Sequence, residues 1–370
     1  MALGREEHSV ALADRGGTRM LGFLDSISRV KWNRIRDDIS EAEVIIERPS
    51  DECIEILREI GTSRTEMVIF RGGSRVWEGP ITLDRRTRDR VVLQAKDVMH
   101  HVYRTVMKNG YSNAHPNTST VVQRVAHIIT QEMARKEALV PPHNILPHLT
   151  VIEGDEGART AAVTKPFEMT LFNHIDNLAA RAGLEYTTVG RRIILFDGSA
   201  LIGQTPPVTQ DDIFGELIVT EYGMEAGTYA VVTDGEGQAG EVGGHDGYYG
   251  LIELLDNAYG EEAPDDDPPD VNIAELRSQA RRNLAGRNPA PITVRMPDGT
   301  TLNPDGVFEM EHLVPGVWVP LYAKVPGREI AQMMRLDEVR FEYTPQGESV
   351  AITLSPRPSA GGGTIIVEEE

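Results

Sequence analysis

The sharpest alternation of apolar and polar positions lies between Glu66 and Ala95, EMVIFRGGSRVWEGPITLDRRTRDRVVLQA. It predicts three antiparallel strands. Met67 to Arg71 is the first, Gly72-Gly73 makes a tight turn, Arg75 to Leu83 is the second, and Arg90 to Ala95 follows a polar loop. Trp77, Gly79, Ile81 and Leu83 share one face of the middle strand, and Val91, Leu93 and Ala95 share one face of the third. A period of two with polar residues between is what a half-buried sheet requires. Pro80 has no N–H to give a ladder, so the middle strand is expected to be an edge or to carry a bulge there.

Upstream, Gly4 to Asp14 and Gly22 to Val30 read as the first strands about a Gly16-Gly17 turn, Trp32 to Arg36 as a mixed basic segment, and Ala42 to Glu47 as a strand. Ser50 caps a helix with Cys53, Ile54, Leu57 and Ile60 along one stripe, ended by Gly61. Downstream, Asp97 to Met107 is partly helical. A helix from about Thr120 to Leu139, capped by Thr118 or Ser119, sets Val122, Val125, Ile128, Ile129 and Met133 at a 3.6-residue period. Residues 143–168 give no clear pattern. Leu171 to Arg181 is a second amphipathic helix with Gly183 as its left-handed cap, followed by a hairpin of Leu184 to Thr188 and Arg192 to Phe196 about Gly190.

After Pro206-Pro207, Glu216 to Gly223 and Tyr229 to Thr233 read as strands. Asp234 to Gly250 is then glycine-rich and Glu261 to Asp270 (EEAPDDDPPD) acidic and proline-rich, with a short segment at Tyr249 to Ala258 and a helix from about Asn272 to Ala285. The chain returns with Pro291 to Arg295, a Pro297-Asp298-Gly299 turn and Glu311 to Val325. Val339, Phe341 and Tyr343 then face Val350, Ile352 and Leu354 across Gln346-Gly347. The expected fold is mixed α+β and β-rich: a β-barrel domain over 1–98, an α+β domain over 99–205, a second β-barrel domain over 206–355 with an inserted excursion at about 234–290, and a tail at 356–370.

At 370 residues the chain exceeds one ordinary core. Apolar residues are 40% and charged ones 25%, a globular balance. No apolar run reaches bilayer length and the N-terminus lacks a signal-peptide core, so synthesis and assembly in the host cytoplasm and no membrane insertion are expected. The single cysteine, Cys53, excludes a disulfide framework and reads as a small core residue. A net charge of −20 argues against specific nucleic-acid binding, because phosphate contacts need clustered cations, and it suits a protein that surrounds DNA without gripping it.

Three stretches resemble the tail hub proteins (tail-associated minor tail proteins) of long-tailed phages infecting actinobacteria, a family distantly similar to the trimeric baseplate hub of contractile-tailed phages. The first is the glycine turn with RVWEGPIT and AKDVMHHVYRTV. The second is LFNHIDNLAARAGLEYTTVGRRIILF. The third is LVPGVWVPLYAKVPG with LDEVRFEYTPQGESVAITLSP. The resemblance covers most of 1–205 and 290–355. It implies tail-tube-like barrels and a homotrimeric structural protein at the virion tail tip, lining the DNA exit path. It also implies contacts with the adjoining distal tail ring, tip or fibre proteins and the tape-measure protein. It brings no catalytic residue. The alternatives weighed against it are a host-surface carbohydrate-binding tip protein, for which three tryptophans are few, and a tail-associated hydrolase.

The residues themselves offer little chemistry. Gly235, Gly237 and Gly240 satisfy G-x-G-x-x-G, with Asp256 near a ribose-binding distance, but GEVGGHDGYYG is hostile to the helix a pyrophosphate needs, and a loop is expected. His100, His101, His143 and His148 lack zinc spacing. Asp265, Asp266, Asp267 and Asp270 lack the alternation and turn glycine of a calcium loop. No nucleophile motif occurs, so no catalytic, cofactor or metal residue is expected. Arg85, Arg86, Arg88 and Arg90 are the pointed feature. They read either as a solvated hairpin tip or as a contact to an acidic neighbour, a subunit or the adjoining ring.

Overall fold

The structure, a computed structural model, describes residues 6–111, 120–139, 145, 147–154, 167, 169–198, 200–234, 237–257, 273–285, 287 and 290–356. The calcium candidates at 265–270, Gly235, His143 and the tail after 356 lie outside the described residues.

The alternation around Glu66 to Ala95 becomes the centre of the first half. In chain order its strands are β1 (His8–Ala13), β2 (Met20–Phe23), β3 (Ile27–Ile35), β4 (Glu41–Glu47), β5 (Glu66–Arg71), β6 (Ser74–Arg86) and β7 (Arg90–Lys96), with helix α1 (Asp51–Arg58) between β4 and β5. The segment read as basic, Trp32 to Arg36, is largely the end of β3, because Val30, Trp32 and Arg34 take alternate buried positions. Pro80 does mark a special place. It pairs with Glu66 at the end of the β5–β6 ladder, and from Ile81 onward β6 pairs with β7 instead. An extra residue between Ile81 and Leu83 turns Leu83 onto the opposite face from Ile81, so the expected run of four same-face residues stops at three. Gly79 is required there: a Cβ would lie 1.8 Å from the Lys96 carbonyl oxygen.

The middle unit contains α2 (Met99–Tyr103), α3 (Val121–Glu137), β8 (His148–Ile152), α4 (Leu171–Ala182), β9 (Leu184–Val189) and β10 (Arg192–Asp197). Thr120, rather than Thr118 or Ser119, caps α3, its hydroxyl accepting from the Gln123 amide. Val122, Val125, Ile128, Ile129 and Met133 are buried as the period requires. Gly183 ends α4 at φ 69°. The unpatterned region hides β8, which pairs parallel with β10. Parallel pairing with a strand some forty residues later leaves no local signal.

In the last third, β11 (Val208–Thr209), β12 (Ile213–Phe214) and β13 (Ile218–Glu221) precede β14 (Tyr229–Thr233), β15 (Ala239–Gly243), β16 (Glu253–Asn257) and α5 (Ile273–Leu284). Tyr229–Thr233 pairs with β15 and β16 in a separate small sheet, not with the main one. Ala230, Val232, Leu276 and Ala280 form the core of that unit, under α5. The chain then adds β17 (Ile292–Arg295), β18 (Thr301–Leu302), β19 (Trp318–Val325), β20 (Arg328–Thr344) and β21 (Gly347–Pro356). The glycine-rich motif expected as loop is partly strand. Gly240 lies in β15, where a Cβ would come within 2.3 Å of the α5 backbone, so it serves packing and opens no phosphate-binding helix.

β3 pairs with β20, and this one ladder fuses the two halves into a 13-stranded sheet of order β13-β17-β21-β20-β3-β4-β7-β6-β5-β1-β2, with β19 and β11 beside β20. Its ladders are antiparallel apart from β11–β19. One core runs under both halves, from Val10 and Trp77 to Phe308 and Leu354.

Candidate assembly surfaces

Arg85 and Arg86 end β6, Arg90 begins β7, and Arg88 sits in the turn between, closed by the Thr87 amide on the Arg90 carbonyl at 2.8 Å. All four are exposed. Arg86 is partly engaged. It donates to Asp84 at 2.6 and 2.9 Å and to the Leu57 carbonyl at 2.7 Å, and the Asp84 carboxylate raises its pKa further. Arg85, Arg88 and Arg90 make no ion pair among the described residues, so the hairpin presents cationic side chains to solvent in a strongly acidic chain.

Across β20, β3, β4 and β7, residues alternate between core and an outer polar face. Trp32 and Phe341 stack on the core side, centroids 4.0 Å apart, where the two halves meet. On the outer side Lys31 pairs with Glu342 at 3.2 Å, Arg29 with Glu43 at 2.5 Å and Lys96 with Glu41 at 3.2 Å, while Asn33 donates to Glu338 at 2.8 Å. With Arg340 and the opposed strand residues Glu47 and Arg90, this face carries five cations (Arg29, Lys31, Arg90, Lys96, Arg340) against five anions (Glu41, Glu43, Glu47, Glu338, Glu342). A shallow cavity of about 380 Å³ lies on it, bounded by Lys31, Glu43, Arg340 and the 297–300 turn.

Buried ion pairs tie the units together, and sequence reasoning missed them. Arg71 of β5 grips Glu348 of β21 with two 2.8 Å bonds, both side chains almost wholly buried. Burial lowers the pKa of neighbouring His8, so its neutral Nε2 accepts from the Trp32 indole N–H at 3.2 Å. At a second joint Arg191, in the β9–β10 turn, donates to Glu66 at 2.8 Å and Glu78 at 3.0 Å, while His101 lies 3.1 Å from Glu66. Burial and the Glu66 charge push Glu78 up to about 7 against the opposing pull of Arg191 and Arg75. Glu66 is also buried, but His101 and Arg191 hold it below its usual range. At a third joint Arg36 meets Asp337 at 2.6 Å and Glu185 at 3.0 Å, and Arg335 meets Glu185 at 3.0 Å, linking the first half, the middle unit and β20. Asp37 beside them rises to about 7 through burial. The available signal was a charge at an in-facing strand position, as in EMVIFR, but nothing local names its partner.

Among the described residues, no group of three or more His, Cys, Asp or Glu is arranged to hold a metal, and no helix is long and apolar enough to cross a membrane. His100 and His101 lie on α2, and burial lowers His100 to about 4.

No protein-family model matches the sequence, and no curated protein matches it. Solved structures do. The prophage tail protein gp18 from Listeria monocytogenes superposes with a TM-score of 0.63 at 10% identity, over 95% of each chain. The tail protein from Neisseria meningitidis gives 0.59 at 14% identity, over 94% of this chain and 96% of that one. The E. coli c3393 protein gives 0.51 at 11% identity, over 93% of this chain and 76% of that one. It is a type VI secretion component with structural similarity to the T4 bacteriophage tail proteins gp27 and gp5. At such identities the likeness is one of fold, and it extends over nearly the whole chain.

Proposed function

We propose that this chain is a structural subunit of a phage tail hub: three copies form a ring at the distal end of the tail tube, join it to the tip proteins and surround the path by which DNA leaves. The observation carrying this reading is the fold likeness, from end to end of both chains, to a prophage tail protein and a bacterial tail protein. The placement among phages of actinobacteria rests on the three sequence stretches alone.

In this reading each half of the chain is one barrel-like unit of the ring, and the β3–β20 ladder is the seam between the two. The balanced outer face suits a DNA conduit. Duplex DNA carries one charge per roughly 1.7 Å, so a cationic wall would hold it by releasing counterions, whereas a wall of paired charges gives no such gain. The arginine hairpin would meet an acidic protein neighbour, and heterologous contacts between identical chains form a ring when the rotation between copies closes. The test is analytical ultracentrifugation and electron microscopy of the full chain, with threefold averages showing six lobes about a channel expected. A twofold or sixfold copy arrangement in assembled tails would refute it.

A further inference from the structure

The two halves repeat one ladder in the same register. β6 pairs with β5 up to Pro80 and with β7 from Ile81, with an extra residue between Ile81 and Leu83. β20 pairs with β19 up to Arg335 and continues against β21, with an extra residue between Leu336 and Glu338. From there β7 passes to β4 and β3, and β21 passes to β17 and β13. Aligning the bulges sets Leu83 on Glu338 and Arg85 on Arg340. Following the partners outward, Leu83–Gln94–Glu43–Lys31 in one half matches Glu338–Thr353–Arg295–Ile218 in the other. Asn33 therefore corresponds to Thr220, and Trp32 to Val219.

Within the chain, the flank of β20 from Glu338 to Tyr343 is occupied by β3, with Asn33 opposite Arg340 and Trp32 opposite Phe341. Its repeat, the flank of β6 from Leu83 to Arg86, is paired only with β7 among the described residues, and β13, the repeat of β3, only with β17. The same joint thus exists once complete and once as two separated halves. Six strands lie between those halves in the sheet.

We infer that β13 of one copy pairs antiparallel with the outer flank of β6 of the next copy, with Thr220 opposite Arg85 and Val219 opposite Arg86. The inference rests on the ring reading above and assigns its subunit joint. The residue chemistry fits an edge that stays soluble until paired. Where the internal seam buries Phe341, the open flank carries Arg86, and Asp84 stands where Val339 does; charged side chains on an exposed strand edge discourage indiscriminate pairing. Glu216 precedes β13 and Glu221 ends it, while Arg85, Arg86 and Arg88 line the flank it would meet. Asp84 and Glu221 fall opposite each other, with Arg86 diagonal to Glu221 and Arg328 already paired to it. Each copy offers one β13 and one β6 flank, so the contact is head-to-tail, and it forms a ring where the rotation between copies closes after three.

Cross-linking tests the register. Directly opposed residues on antiparallel strands place their Cβ atoms about 4.5–5.5 Å apart, within disulfide reach after slight adjustment. In full-length protein carrying Cys53→Ala, the pair Arg85→Cys with Thr220→Cys should give reducible dimer and trimer bands on mild oxidation. Arg85→Cys with Val219→Cys, slipped by one residue onto the other face, should give at least tenfold less, and each single variant none. Trimers by sedimentation without cross-linking of the opposed pair, or equal cross-linking of the slipped pair, overturn the joint and leave the ring standing. Cross-linking by Thr220→Cys alone means a twofold contact and overturns the joint. Monomers in every variant at high concentration, with no cross-linked species, overturn both the joint and the ring.

Discussion

Arg71 and Glu348 are 277 residues apart in sequence and buried against one another, and such a pair holds two halves together asymmetrically. Removing one member strands the other charge in the core, which costs about 3–5 kcal/mol, whereas replacing both with apolar residues of similar volume is close to neutral. Arg71→Met is therefore expected to lower the unfolding free energy by about that amount in urea titrations, and Arg71→Met with Glu348→Leu to recover most of it. Equal losses in the single and double variants would show that packing, not the ion pair, sets the cost. Glu78 behaves differently. Its folded pKa of about 7 lies above the usual 4.5, so the folded chain binds more protons than the unfolded one between those values. Stability should fall as pH rises through that window, and Asp37, raised to about 7 in the same direction, adds to the slope. Glu78→Gln mimics the protonated acid and should flatten the dependence in thermal melts between pH 5 and 8. A Glu78→Gln variant whose melting point keeps the wild-type slope between pH 5 and 8 would contradict the assignment.

At the scale of elements, α5 is held to the small sheet by a close approach rather than by a broad core. Gly240 admits the backbone at Leu276 and Arg277, and Asp256 of β16 accepts from Gln279 at 3.3 Å and Asn283 at 2.7 Å. Gly240→Ala should push α5 away. Hydrogen exchange of α5 amides should then rise at least tenfold while amides of β3 and β20 keep their protection, because Ala230, Val232, Leu276 and Ala280 form a core of their own. Uniform loss of protection across the chain would mean that this unit and the large sheet unfold together.

At the scale of the molecule, the acidic balance and the arginine hairpin are complementary parts of one assembly argument. Reversing Arg85, Arg86 and Arg88 to Glu should leave the melting point within a few degrees, because exposed hairpin residues contribute little to the core. It should abolish trimer formation by sedimentation and reduce tail assembly. The wild-type assembly should also weaken as salt rises, since its joint carries charge on both sides. Normal tails from the triple variant would remove the hairpin from the contact.

Much of the local structure was legible because its causes are local. The hairpins about Gly72-Gly73, Gly190 and Gln346-Gly347 follow from period-two alternation and turn residues, and α3 and α4 from their apolar stripes and caps. The exposed arginines could be named from the sequence as well, since a cluster of like charges cannot be buried together. The fusion of the halves through Trp32 and Phe341, the parallel pairing of β8, and the ionic joints at Arg71 and Arg191 were decided only by the tertiary structure. A charge is tolerated in a core only once a distant partner arrives, and a bulge such as the one before Leu83 reverses every later side chain without altering the composition that surrounds it.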